Sequence, residues 1–413
     1  MSLPDPDPSA VAHSRTLAGK IHAAIAAHGG WIGFDRFMQF ALYEPGLGYY
    51  SSARRKFGPQ GDFVTAPELS PLFARSLARQ VAQWFDEVPA RVVEFGAGTG
   101  RLAAGLIEAL QVRGTPAERY TIVELSADLR AHQRETLARH VPGALAAVTW
   151  LERLPDAIEG VVIGNELLDA MPVRLFEIGA GGVAEVGVAA IAHGTGVAPT
   201  AAAFTYEVRP AEAAFAAAVE AALQRAGTRG LLEAGYRSEL GEQASAWVAT
   251  VAGVLSRGVL LLIDYGFPAA EFYHPQRACG TLACHYRHRV HGDPFRWPGL
   301  QDITAHVDFS AVAHAAAGQG LELLGYTSQA RFLVNCGLIE ALAEATRAEA
   351  SGSAARADPA AHARATGAVQ TLLSESEMGE LFKAIAFGRG LRQPSCGFDR
   401  GDRSATLLRR ASP

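Results

Sequence analysis

The spacing of apolar residues changes along this chain, and the changes divide it. Residues 14–28 repeat at helical spacing with Leu17, Ile21 and Ile25 on one face, and a second amphipathic run covers 34–43 before Pro45 stops it. A third helix is predicted over 70–85. From residue 90 short apolar runs alternate with helical patterns, the signature of parallel strands with helices on both faces. Strands are predicted near 91–95, 119–124, 146–150, 160–164, 258–264, 320–327 and 382–388. The expected fold is therefore α/β: a doubly wound, seven-stranded Rossmann-like sheet with an N-terminal helical extension and two insertions forming a cap.

The first insertion, 172–237, contains VRLFEIG and GVAEVGVAAI around a glycine-rich turn, which predicts a hairpin, and then an Ala-rich helix from Ala211. The second, 266–310, is rich in Pro, Gly, His and Arg and reads as a loop-rich cap over the strand ends. The expected division is 1–88 for the helical extension and a covering loop, 89–171 for the first half of the core, and 172–237 for the insertion. It continues with 238–265 for a core helix and strand five, 266–310 for the cap, and 311–413 for the second half, with an Ala-rich linker at 344–366.

The stretch VVEFGAGTGRLA, 92–103, joins a strand to a helix through Gly96, Gly98 and Gly100, which can take φ > 0 and let backbone N–H groups approach a ligand. Glu94 sets a carboxylate just before the turn. That charge repels the pyrophosphate of a dinucleotide but suits S-adenosylmethionine (SAM), which carries an ammonium and a sulfonium. Arg101 fills a position where the dinucleotide fingerprint wants a small residue. A second carboxylate, Glu124, ends the next strand, followed by Leu125 and a helix capped by Ser126. In a doubly wound sheet Glu124 lies beside the turn and can accept hydrogen bonds from ribose hydroxyls; the alternative is a solvated charge.

With 49% hydrophobic and 19% charged residues in 413, the chain can bury an enzyme-sized core. Its net charge of −5, without a basic run, disfavours binding to a nucleic-acid backbone. The N-terminus MSLPDPDPSA has neither signal nor transit character and no long apolar run occurs, so a cytoplasmic protein without a membrane span is expected. Cys279, Cys284, Cys336 and Cys396 form no C-x-x-C pair, and the Cys284–His291 cluster has no standard zinc spacing, so no metal is expected. A G-x-S-x-G elbow is missing, which argues against a serine hydrolase.

The chain resembles the MidA-like family of class I SAM-dependent methyltransferases, whose relatives include mitochondrial complex I assembly arginine methyltransferases. The resemblance rests on GDFVTAPELS at 61–70, VEFGAGTG at 93–100, NELLDAMP at 165–172, LLIDYGF at 261–267 and DITAHVDFS at 302–310. It implies a SAM-binding core and, for the mitochondrial members, methylation of an arginine in a core subunit of the respiratory NADH dehydrogenase. In GDFVTAPE, Gly61 permits a bend, Thr65 offers a hydroxyl, Pro67 stiffens and Glu68 accepts hydrogen bonds. A rigid clasp on the core is the alternative, and the resemblance tips the reading toward SAM contact.

Strand ends in such sheets face the ligand, which places Asn165, Glu166 and Asp169 after strand four and Asp264 and Tyr265 at the end of strand five near the donor methyl. Asn165 could equally be a helix cap and Asp169 a first-turn charge. An arginine guanidinium is not deprotonated beforehand, so carboxylates must grip it and accept its proton as the bond forms. The candidates are Glu166 and Asp169, with Asp308 as a third. Two readings of function follow: a protein arginine methyltransferase, or a SAM-binding assembly factor that acts by holding its partner. A nicotinamide oxidoreductase is disfavoured by Glu94 and Arg101.

Overall fold

The structure, a computed structural model, describes residues 3–52, 65–191, 204–350 and 359–407. Seven strands of one sheet match the predicted positions: β1 (Arg91–Phe95), β2 (Arg119–Val123), β3 (Val148–Leu151), β4 (Ile158–Asn165), β5 (Leu255–Phe267), β6 (Glu322–Ser328) and β7 (Phe382–Arg389). Their spatial order is β3-β2-β1-β4-β5-β7-β6. The five strands from β3 to β5 are parallel, β7 is antiparallel to both neighbours, and Val307–Asp308 adds a short parallel pairing to the end of β5. The order reverses between β1 and β4, which opens a crevice beyond their carboxyl ends.

Both faces of the sheet are covered, as its nearly continuous apolar strands require. On one face α3 (Pro71–Phe85), α4 (Arg101–Val112) and α5 (Ala127–His140) pack through Phe73, Leu77, Leu106 and Leu137. On the other, α7 (Glu242–Val254) and α8 (Phe309–Gly318) bury Val248, Val251, Phe309 and Val312.

The N-terminal extension begins earlier than its apolar spacing predicts. Helix α1 runs Pro8–Ala27 because Asp7 caps it by accepting the Ala10 N–H, and Pro8 suits a first turn with no partner for its nitrogen. Helix α2, Phe34–Tyr43, buries Phe34, Phe37, Met38, Ala41 and Leu42 along one stripe.

The predicted hairpin pairs Arg174–Gly179 with Gly182–Ala190. It belongs to a larger assembly than expected: Trp31–Gly33, Phe204–Pro210 and Arg237–Leu240 complete a five-stranded antiparallel sheet with it. The helical extension packs on this sheet, with Val186 and Val188 against Ile21 and Phe34. Helix α6 (Ala213–Ala226) packs through Phe215 and Val219. The second insertion, read as loop-rich, holds a three-stranded sheet of Ala283–Tyr286, Arg289–His291 and Asp302–Thr304. The 344–366 segment falls partly on the helices Leu338–Ala350 and Pro359–Leu373, and partly outside the described residues. Among the described residues no helix is long and apolar enough to cross a membrane.

Candidate functional site

A cavity of about 1030 Å³ lies over the reversal point of the sheet, between the glycine turn, the segment after β4, helix α2 and one side of α7. The turn is shaped by backbone conformation: Gly96, Gly98 and Gly100 take φ of 67°, 50° and 82°. A Cβ on Gly96 would lie 2.9 Å from Leu167 Cδ1, and one on Gly100 would lie 3.2 Å from Gln133 Cα, so the turn has little room for side chains.

Glu94 lines the cavity, and its carboxylate accepts a 2.7 Å hydrogen bond from the Tyr120 hydroxyl. Burial pushes this carboxyl up to about 7, against the lowering effect of that bond. Glu124 lies just beyond β2 and also lines the cavity, its pKa raised by burial despite the Ser126 N–H (2.9 Å) and the Gln133 amide (3.2 Å) it accepts. Leu125 stands 77% exposed on the rim. Thr65, Pro67 and Glu68 reach the cavity from the short helix Ala66–Leu69 and its N-cap, with Glu68 accepting the Thr99 hydroxyl. Gly61 lies outside the described residues.

From the end of β4 the same cavity is lined by Asn165, Glu166 and Asp169. Glu166 is a non-glycine residue at φ 51°, a conformation held by its N–H bond to the Ile263 carbonyl (2.8 Å) and by the Ala66 N–H (3.3 Å) and Asn165 amide (3.2 Å) on its carboxylate. Strain of this kind collects at functional sites. Burial, then the charge of Asp169, raises the Glu166 carboxyl to about 8. The Asp169 carboxyl is also raised by burial, although the Tyr265 hydroxyl donates to its Oδ2 at 2.6 Å. Its Oδ1 and the Asn165 Oδ1 are buried without a hydrogen-bond partner among the described residues.

Two expectations need correction. Asp308 does not join these groups. It is the N-cap of α8, where its Oδ1 accepts the Ser310 and Ala311 N–H groups, and it lines a different, smaller cavity. Asp264 does not face the large cavity either. Its Oδ2 accepts the N–H groups of Leu167, Leu168 and Asp169 at 3.0, 2.8 and 3.3 Å, which folds the segment after β4 into the turn that presents Asp169. Tyr265, also at the end of β5, acts through its bond to Asp169.

Several residues escaped the sequence. Gln133 is fully buried; its amide nitrogen donates to the Gly98 carbonyl (3.1 Å) and to Glu124, and its oxygen accepts the Trp150 indole N–H (3.0 Å). It ties the glycine turn to the second carboxylate. The only hint was its spacing four before Leu137 on an otherwise polar helix. Tyr43 and Tyr50 wall the acceptor side, stacked with ring centroids 5.6 Å apart, and Trp247 of α7 closes another wall. The Tyr43 hydroxyl donates to the Ala170 carbonyl at 2.9 Å.

A glycine turn with close backbone approach and an anionic side at Glu94 and Glu124 fit an adenosyl sulfonium better than a dinucleotide. Comparison with known proteins agrees. A family model described as "Putative S-adenosyl-L-methionine-dependent methyltransferase" matches residues 76–327. A crystal structure of a Burkholderia thailandensis protein bound to S-adenosyl-homocysteine is 52% identical with a TM-score of 0.87, covering 98% of this chain and 100% of that one. Protein arginine methyltransferase NDUFAF7 of Mus musculus is 29% identical, covering 85% of this chain and 79% of its own length. The Drosophila melanogaster homologue is 28% identical over 77% and 74%. This chain belongs to the family that the model over 76–327 describes: it is a SAM-dependent methyltransferase with SAM as its cofactor, built on the Rossmann-like sheet described above.

Proposed function

We propose that the protein methylates an arginine side chain of a protein substrate, and that the acceptor is a subunit of the respiratory NADH dehydrogenase. The observation that carries the reading is the acceptor side of the cavity. Asn165 Oδ1 and Asp169 Oδ1 are buried there without a partner among the described residues, with the Glu166 carboxyl beside them. The Asn165 oxygen and the two carboxylates, once an incoming cation favours their ionised forms, accept hydrogen bonds and match a guanidinium, which only donates. The names of the mouse and fly relatives point to arginine, and the NADH dehydrogenase partner rests on the family resemblance.

The bound cofactor supplies an electrophilic methyl group. The chain's own work is to hold a guanidinium nitrogen about 3–3.5 Å from that carbon and in line with it. Glu166 and Asp169 orient the nitrogen and take up the proton released as the N–C bond forms. Tyr43, Tyr50 and Trp247 exclude water, and Tyr265 fixes the Asp169 carboxylate. Incubation of the purified protein with SAM and the candidate subunit, followed by mass spectrometry, tests the assignment. One or two added methyl groups on an arginine are expected; methylation confined to another residue type would overturn it.

Two predictions concern the cofactor side. Glu94, with its carboxyl near 7, is neutral at lower pH and attracts a cation only once ionised. SAM affinity should therefore rise from about pH 6 to about pH 8 and then level. Tyr120→Phe removes a donor that favours the ionised form, so the midpoint should move upward. Calorimetric affinities that stay flat across this window would show that Glu94 does not sense the ligand's charge.

Gln133→Leu should weaken SAM binding about ten-fold, because losing the amide leaves the Gly98 carbonyl, Glu124 and the Trp150 N–H short of partners and frees the turn to move. Unchanged affinity in a folded variant would make Gln133 a packing residue only.

A further inference from the structure

A second cavity, of about 340 Å³, lies behind the segment that carries Asp169, between α6, the start of α7 and α8. The partition is thin. Leu168 faces this cavity while Asp169 faces the large one, and Glu242 and Gln243 of α7 divide in the same way. The volume lies within the range of small-molecule sites and far exceeds the roughly 30 Å³ of one water.

Much of the wall is apolar, with Phe272, Leu240 and Val312 prominent. Glu239, which accepts the Thr281 and Leu282 N–H groups, and Glu242, paired with Arg174, also line it, and three further buried polar atoms are left without partners among the described residues. Asp308 is 9% exposed, and while its Oδ1 caps α8, its Oδ2 is buried with no hydrogen-bond partner among the described residues. Arg225 Nε and His306 Nδ1, on residues lining the same space, are also buried and unpartnered. Burial raises the Asp308 carboxyl; the Ala311 N–H and the nearby Arg225 guanidinium oppose the rise. A cation and an anion thus flank one cavity close enough to feel each other, yet no hydrogen bond joins them. Water can satisfy such atoms, but water makes no use of the apolar wall between them.

We propose that this cavity is a binding site for a small zwitterion, an α-amino acid with an apolar side chain, whose carboxylate meets Arg225, whose ammonium meets Asp308 and whose side chain lies against Phe272 and Val312. The site is separate from the cofactor and acceptor cavity and stands whether or not the methyl acceptor is arginine. Its ligand presses on the backbone next to Asp169, which also receives the Ala305 N–H on its carbonyl.

The test is calorimetric titration of the full chain, saturated with S-adenosyl-homocysteine, with L-leucine as the probe. Saturable binding at one site per chain is expected. Leucinamide lacks the carboxylate and 4-methylpentanoate lacks the ammonium, so each should bind at least ten-fold more weakly. Arg225→Met and Asp308→Asn should weaken L-leucine at least ten-fold; the asparagine still caps α8, so the helix is kept. Ala218→Met, which fills the cavity from α6 without altering a charge, should do the same. Retained SAM affinity in each variant shows that the fold is intact. The proposal is overturned if L-leucine gives no saturable binding, if the two single-charge analogues match it, or if all three folded variants bind it as the wild type does.

Discussion

Methyl transfer by the Glu166→Gln and Asp169→Asn variants is expected to fall by about 10²–10⁴-fold, the span of a general acid–base contribution, while SAM binding changes little. Both substitutions preserve shape. A glutamine at 166 can still accept the Ala66 N–H and the Asn165 amide through one oxygen, and an asparagine at 169 can still accept the Tyr265 hydroxyl. What is lost is the negative charge that holds a guanidinium and receives its proton. The affinity should hold because these side chains follow β4, whereas the glycine turn, Glu94 and Glu124 belong to the ends of β1 and β2. The measurement pairs titration calorimetry with mass spectrometric readout of arginine methylation in the candidate subunit. Wild-type rates in both variants would reduce the two residues to structural charges. A wild-type protein that binds the subunit tightly and methylates nothing would favour the assembly-factor reading over turnover.

Gly98→Val is expected to abolish measurable SAM binding in a protein that remains folded. Gly98 sits at φ 50°, where a β-branched residue is a severe outlier, and it lines the cavity. Its carbonyl is held by Gln133, so the turn cannot relax without breaking that bond. The strain falls on a turn at the end of β1, outside the hydrogen-bonded ladder of the sheet, which is why circular dichroism should stay native. Unchanged affinity would remove the glycine turn from the cofactor site.

The central sheet was legible because its signal is local. Most of its strands contain a short apolar run bounded by turns, as burial on both faces of the sheet requires. The glycine turn was legible for a similar reason, since a backbone that must take φ > 0 leaves its mark in residue type. The five-stranded second sheet was not. Its strands come from three separated stretches of chain, Trp31–Gly33, Arg174–Ala190 and Phe204–Leu240, and pairing between them is a property of contacts rather than of spacing. The start of α1 was missed because the Asp7 cap and Pro8 look, out of context, like a disordered acidic tail.

The same division runs through the site. By itself the sequence determined that carboxylates stand before and after the glycine turn and after β4, because those positions are set by distance along the chain from a strand end. Only the tertiary structure decided what each carboxylate does. Glu166 and Asp169 face a cavity with unpartnered oxygens nearby, Asp264 spends its oxygen on three N–H groups of the turn, and Asp308 caps a helix beside a different cavity. These are chemically equivalent side chains in similar motifs. The difference between them lies in which donors come within hydrogen-bond reach, and those donors, from Tyr265 to Ala66 to Gln133, arrive from elements as much as about a hundred residues away, where no local pattern can announce them.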